Sequence, residues 1–254
     1  MDRKIELENA LYIVSEYAFE HGEIIKAYVL IKSAPNLLEG SNRLSNLMER
    51  IMKRMEHIHL FQKHGRLGLA FIDPIDITDK EVYTKLLEEL KKRPEIRTLV
   101  DVGCFTGWIG RNLSLHGYSV HGIDLMPDVL ETAAFMATGT RATFEMLEGT
   151  KVGERHPKEF DAAVMFDVVE HVFDHNILLQ SVENAVKDGG WIFINLPKLD
   201  NEADLEVVAT DDREKEHLRT YTDPYKVFEK KKNLEISIVH NEIGQESWFI
   251  IYQC

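Results

Sequence analysis

Cysteine is nearly absent: Cys104 and Cys254 are the only two in 254 residues, and they lie far apart. They suggest neither a disulfide framework nor a zinc-type cysteine pair, and the usage fits a reducing compartment. Positive charge is also short, with 30 Lys and Arg against 43 Asp and Glu and a net charge of −13. Nucleic-acid binders usually carry a basic face, so this balance disfavours a long polynucleotide partner without removing it. No apolar run approaches the length of a transmembrane helix, and the charged N-terminus does not read as a signal segment. The expectation is a soluble, cytoplasmic protein with no membrane partner. What is present, 44% apolar residues in a chain of this length, suffices for one α/β domain and an appendage.

Two kinds of sequence divide the chain. Residues 1–95 read as a helical N-terminal extension. ELENALYIVSEYAFEHG and EIIKAYVLIKSAP are helix patterns broken by Gly22 and stopped by Pro35. Leu7, Leu11, Val14 and Ala18 fall at helical spacing, as do Leu44, Leu47, Ile51, Met55 and Ile58 after the cap-like Ser41-Asn42. These faces predict either a helical cap on the rest of the protein or a homodimer surface. RLGLAFIDP reads as an extended segment, and Thr78 to Lys92 as a charged helix leading into the first strand of the sheet.

Residues 96–254 alternate strands and helices, which implies a parallel sheet. TLVDV, SVHGID (ending at Asp124), ATFEML, FDAAVMF and WIFINLP are the strands, the fourth a nearly continuous apolar run as expected of a strand covered on both faces. Pro127 suits the first turn of the helix after Asp124, and Asp188-Gly189-Gly190 reads as a turn into the fifth strand. LEISIVH and SWFIIYQ are too close for a parallel crossover, so they form a hairpin.

The most informative stretch is Thr98 to Gly107, TLVDVGCFTG. An apolar strand ends at Asp101, Gly103 lets the chain turn, and Gly107 lets backbone approach a ligand at the start of a helix. Asp124, at the end of the next strand, lies where an acid binds ribose hydroxyls. The spacing G-x-x-x-G is not the G-x-G-x-x-G of a pyrophosphate site, and an acid before the turn suits a cationic or amine-bearing ligand.

These residues resemble the class I S-adenosylmethionine-dependent methyltransferases, whose first motif commonly reads D-V-G-C-G-T-G. Here it reads Asp101-Val102-Gly103-Cys104-Phe105-Thr106-Gly107, with Phe105 where glycine is common. The resemblance implies a Rossmann-like, seven-stranded, mostly parallel sheet with an antiparallel last strand. It implies S-adenosylmethionine as cofactor, with Asp101, Gly103, Cys104, Gly107, Asp124, Leu125, Glu148 and Asp167 around it.

After the fourth strand comes Asp167-Val168-Val169-Glu170-His171, and His217 follows the acidic stretch 200–216. Spacing i, i+3, i+4 would place the first three on one face of a helical turn. Carboxylates with imidazoles suit a divalent ion such as Mg²⁺, Mn²⁺ or Zn²⁺. The pattern is similar to two metal-using methyltransferase groups, the ubiquinone-biosynthesis O-methyltransferases and the small-RNA 3′-end 2′-O-methyltransferases, although those have Glu where this chain has Asp167. In many metal-free relatives the Asp touches the cofactor and the His is a general base. These two readings and that of a purely structural Glu-His turn stay open, with His171, His217 and Glu170 as catalytic candidates, and Arg219 and Tyr221 as substrate contacts. Trp108, Trp191 and Trp248 read as packing residues. An alcohol nucleophile must lose a proton, which tilts the expected acceptor to the hydroxyl of a small molecule or sugar. The alternatives are methylation of RNA ends or another macromolecule, and a non-catalytic scaffold keeping the cofactor fold.

Overall fold

The structure is a computed structural model and describes residues 3–55, 80–198, 223–240 and 246–254. The chain divides into two compact units, 1–75 and 76–254, so the helix before the first strand groups with the sheet and the boundary falls before residue 96. His217, Arg219, Tyr221, Ile58 and the extended segment expected at 66–74 lie outside the described residues.

The first unit holds helices α1 (Arg3–Glu20), α2 (Ile24–Lys32), α3 (Pro35–Leu38) and α4 (Asn42–Met55). Gly22, at φ +81°, makes the break between α1 and α2. The Ser41 hydroxyl accepts from the Leu44 N–H at 3.2 Å and caps α4. In α4, Leu44, Leu47, Ile51 and Met55 are all buried, as their spacing predicts. The expected face of α1 is corrected: Leu7 and Val14 are exposed, and the fully buried positions are Ser15 and Ala18. A polar residue carries the α1 stripe, which a rule based on apolar spacing passes over.

The second unit opens with α5 (Glu81–Lys91). Its buried Glu89 pairs with Lys85, Lys92 and Arg93, and the Arg93 guanidinium lies 4.0 Å over the Trp191 ring. The strands are β1 (Thr98–Val102), β2 (Ser119–Asp124), β3 (Ala142–Met146), β4 (Phe160–Phe166), β5 (Val186–Pro197), β6 (Lys232–His240) and β7 (Glu246–Gln253). Between them run α6 (Trp108–Leu115), α7 (Pro127–Met136), α8 (Val152–Arg155), α9 (His175–Ala185) and α10 (Tyr225–Phe228). The sheet order is β3-β2-β1-β4-β5-β7-β6. Neighbours from β3 through β5 are parallel, and β7 runs antiparallel between β5 and β6. The expected sheet and its terminal hairpin are therefore present.

Burial explains the order. β4 and β1 are the central strands, and Leu99, Val100, Ala162, Ala163, Val164 and Met165 are fully enclosed. Edge strand β6 is half exposed and carries Lys232, Glu235 and His240, charges that discourage further strand pairing. The entry edge of the sheet is tied by Asp161. Its Oδ2 accepts from the N–H groups of Arg97 and Thr98 and from the Thr98 hydroxyl, and its Oδ1 accepts from Lys187. The Asp188-Gly189-Gly190 turn is a bulge inside β5: Phe160 pairs with Val186 but Ala162 pairs with Trp191. A Cβ at Gly190 would lie 2.5 Å from the Asp161 carbonyl oxygen, so this bulge requires glycine.

Candidate functional site

The carboxyl ends of β1, β2, β4 and β5 carry the candidate residues, where open α/β sheets bind ligands. After β1 the chain turns at Gly103 (φ +70°), and the N–H groups of Gly103 and Cys104 donate to the Ile123 carbonyl at 2.8 and 3.0 Å. A Cβ at Gly103 would stand 2.5 Å from Val168. Gly107 (φ +74°) caps α6, and a Cβ there would meet Phe144 at 2.7 Å and Ala133 at 2.9 Å. The expected reason for this glycine is thus refined. The space it leaves is filled by protein, with the Phe144 ring from β3 packed beneath the turn.

Phe105 adopts φ +49°, the left-handed conformation that glycine would supply. The loop keeps a glycine-like path with a side chain on it, at a cost of about 1–2 kcal/mol. Two contacts offset that cost. The Phe105 N–H donates to Asp124 Oδ2 at 3.0 Å, and its ring meets Trp108 edge-on at 6.3 Å between centroids. Trp108 is therefore part of the turn rather than of the core.

Asp124 closes β2. Its Oδ1 accepts from the Met126 N–H at 3.0 Å, so the carboxylate is held by two backbone donors and keeps lone pairs for a ligand. Leu125, Met126 and Met146 beside it are exposed, an apolar rim at the ends of β2 and β3. Glu148 is exposed too, and its carbonyl accepts from the Lys151 N–H. Cys104 is buried, and that burial, together with Asp101 and Asp124, pushes its thiol far up, so it is no nucleophile.

Asp101 is 2% exposed, and its Oδ2 has no hydrogen-bond partner among the described residues. Burial first, then the Asp124 carboxylate, raise its pKa to about 7 against a backbone hydrogen bond from Gly110. Asn195 Oδ1 in β5 and both oxygens of Glu170 are likewise buried without a partner among the described residues. Acceptors unpaired among the described residues thus include carboxyl and amide oxygens at or just beyond the carboxyl ends of three adjacent strands, β1, β4 and β5. Such a set fits a donor-bearing or cationic ligand, because a buried acceptor left unpaired costs about 1–3 kcal/mol.

The Asp167–His171 segment departs from the expected arrangement. Asp167 is at φ +52°, a conformation Asp tolerates better than Glu, and it is pinned to Asn195. Asn195 Nδ2 donates to its Oδ1 at 3.0 Å, and its N–H donates to the Asn195 carbonyl at 3.1 Å. Only Val169–His171 form a short 3₁₀ turn. Glu170 is fully buried and His171 is exposed, so the three side chains do not share a face. Burial, then the Asp167 charge, hold the Glu170 carboxyl well above the usual carboxylate range. Among the described residues the one group of three His, Cys, Asp or Glu with ligand atoms within 4.8 Å of one another lies elsewhere, at His121, Glu145 and His156. Next to His171, Phe173 is 83% exposed and Ile177 55%. Sequence reading missed Asn195 and Phe144. The first was detectable as a lone amide in the apolar run WIFINLP, whereas nothing marks the second.

The sheet order and the turn after β1 define a fold of the Rossmann-like kind. A family model described as a methyltransferase domain matches residues 76–228. The chain belongs to this methyltransferase domain family. It is similar to a ubiquinone biosynthesis O-methyltransferase from Hydrogenovibrio crunogenus, 33% identical over 103 residues, which is 40% of this chain and 43% of that protein. One from Nitrosomonas europaea is 30% identical over 101 residues, 39% of this chain and 43% of that protein. The matched segment thus spans less than half the length of these curated relatives. Among solved structures, the N-methyltransferase NodS from Bradyrhizobium japonicum, in complex with S-adenosyl-L-homocysteine, has a TM-score of 0.57 at 13% identity. It covers 75% of this chain and 97% of that one. Magnesium protoporphyrin IX methyltransferase from Synechocystis, with bound S-adenosylhomocysteine, has a TM-score of 0.57 at 12% identity, covering 81% and 100%. These neighbours share the fold. No helix among the described residues is long and apolar enough to cross a membrane.

Proposed function

We propose that the protein methylates a hydroxyl group of a small, partly apolar acceptor. The observation that carries the reading is the exposed His171 imidazole at the carboxyl end of β4, bordered by the exposed Phe173 and Ile177. The O-methyltransferase relatives support oxygen as the acceptor atom. S-adenosylmethionine supplies, when bound, a methyl group already activated on a sulfonium.

The chain's residues then have to bind, align and move one proton. Asp124 offers its remaining lone pairs to ribose hydroxyls, and Leu125 and Met146 cover the adenine. The acceptors at Asp101 and Asn195, unpaired among the described residues, favour the cationic methionine end. His171 takes the proton of the acceptor hydroxyl as its oxygen attacks, a role that general-base histidines fill near neutral pH. Alignment supplies most of the rate, as expected where the electrophile is intrinsically reactive.

A second reading places a divalent ion on Asp167, Glu170, His171 and His217. The two oxygens of Glu170, buried without a partner among the described residues, favour it, and the exposed His171 does not. Cytoplasmic location and self-association through the helices of residues 3–55 remain part of the proposal. The test is transfer of a labelled methyl group from S-adenosylmethionine to a panel of phenols, catechols, sugars and amines. Turnover confined to amines would sink the hydroxyl reading. No binding of S-adenosylhomocysteine by calorimetry would sink the cofactor reading.

A further inference from the structure

Away from the turn, β2, β3 and the segment after α8 bring two histidines onto one carboxylate oxygen. His121 Nε2 lies 3.2 Å and His156 Nε2 2.8 Å from Glu145 Oε2. The three ligand atoms all lie within 4.8 Å of one another. Each imidazole is also oriented from behind. His121 Nδ1 meets Thr143 Oγ1 at 2.9 Å, and His156 Nδ1 meets Glu159 Oε2 at 2.8 Å. Phe160 stacks on His121 at 6.0 Å with planes 12° apart and lies 5.6 Å from His156. The other oxygen of Glu145 accepts from Arg155 Nε at 3.0 Å, which leaves Oε2 as its single converging atom.

We propose that His121, Glu145 and His156 form a divalent-metal site of the zinc type, with solvent in the fourth position. Zinc takes imidazole nitrogen and carboxylate oxygen at about 2.0–2.2 Å in a tetrahedron, so ligand atoms stand about 3.3–3.5 Å apart. The observed separations of 3.2 and 2.8 Å are near that edge, so small rotations open the site. Two nitrogens with one oxygen select zinc or a neighbouring transition ion over magnesium, which prefers oxygen throughout. Thr143 and Glu159 stand where metal-bound histidines usually find their second partner. Occupancy would pin β3, the edge strand, to β2 and to the chain after α8. Met146, the residue after Glu145, pairs in register with Asp124, so the staple bears on the strand beside the cofactor carboxylate.

The test is titration of the metal-free chain of 254 residues with zinc chloride by calorimetry, and with cobalt chloride followed by visible absorption. One equivalent, with the d–d bands of a tetrahedral cobalt complex and a rise in melting temperature, is the expected result. Glu159→Gln touches no metal and lies on the surface, and it should weaken zinc binding about 10- to 100-fold. His156→Asn should weaken it further, with circular dichroism and S-adenosylhomocysteine binding unchanged. Absence of stoichiometric zinc binding, or equal affinity within about threefold in wild type and both variants, overturns the site. Equal affinity would assign any bound zinc to another part of the chain.

Discussion

The backbone N–H of Phe105 donates to Asp124 Oδ2 at 3.0 Å and so ties the turn after β1 to the end of β2. The carboxylate read as a ribose ligand is also the anchor of the turn between β1 and α6. Removing it as Asp124→Ala should weaken S-adenosylhomocysteine binding by about 2–3 kcal/mol and lower stability by about 1 kcal/mol, since backbone donors at Phe105 and Met126 lose their acceptor. Calorimetry and denaturant midpoints measure the two effects separately. A variant that binds within twofold of wild type would end the assignment of Asp124.

Phe105 itself gives a sharper test. At φ +49° it carries strain that glycine would relieve, while its ring contact with Trp108 contributes about 0.5–1.5 kcal/mol in return. Phe105→Gly should therefore stay within about 1 kcal/mol of wild type and bind cofactor within a few fold. Phe105→Val, β-branched and with no ring, should lose about 2 kcal/mol. If urea midpoints show the Gly variant as damaged as the Val variant, the strain account fails.

The sheet was largely legible because its strands are apolar and short and its turns carry glycine. The bounds of β2 and β4 follow directly from SVHGID and FDAAVMF. The bulge in β5 was not legible, because its pairing depends on a carbonyl of Asp161 in a neighbouring strand. The positions of Asp101 in β1, Gly103 and Gly107 in the turn after it and Asp124 at the end of β2 follow from spacing alone. The Asp167–His171 arrangement does not, since one left-handed residue rotates everything after it and spacing rules assume a regular helix. His121, Glu145 and His156 escaped for the same reason that most three-dimensional clusters do: they come from three segments with no shared motif.

Asp101 sets a pH dependence. Its folded value of about 7 lies above the ordinary 3.8. In that interval the native state holds a proton the unfolded chain has lost, so unliganded stability falls as pH rises from about 4 to about 7 and is level above. Asp101→Asn stays neutral and should be the more stable protein at about pH 8, with the difference vanishing near about pH 4. A cationic cofactor prefers the ionised acid. Wild-type affinity for S-adenosylmethionine should weaken below about pH 7, at most about tenfold per unit, and the Asn variant should show a flatter profile. Calorimetry across this range decides it. An equally steep profile in the variant would remove Asp101 from the account.

The Asp167–His171 segment separates general-base from metal chemistry. With His171 as a metal-free base, His171→Ala should lose about 10²–10⁴ in rate and recover part of it with added imidazole. Glu170→Gln, which keeps the size of a carboxyl that burial and the Asp167 charge hold well above the usual range, should then keep the fold and most of the turnover. If a divalent ion sits there instead, Glu170→Gln should abolish turnover while cofactor affinity stays within a few fold. EDTA should inhibit, and Mg²⁺ or Mn²⁺ should restore the rate. Chelation is best applied in the His156→Asn background, so that loss of an ion from the His121–Glu145–His156 group does not confuse the result. Inhibition by EDTA in that background, reversed by Mg²⁺, would overturn the metal-free base. Full activity of both His171→Ala and Glu170→Gln would show that the segment serves only to hold Asp167 against Asn195.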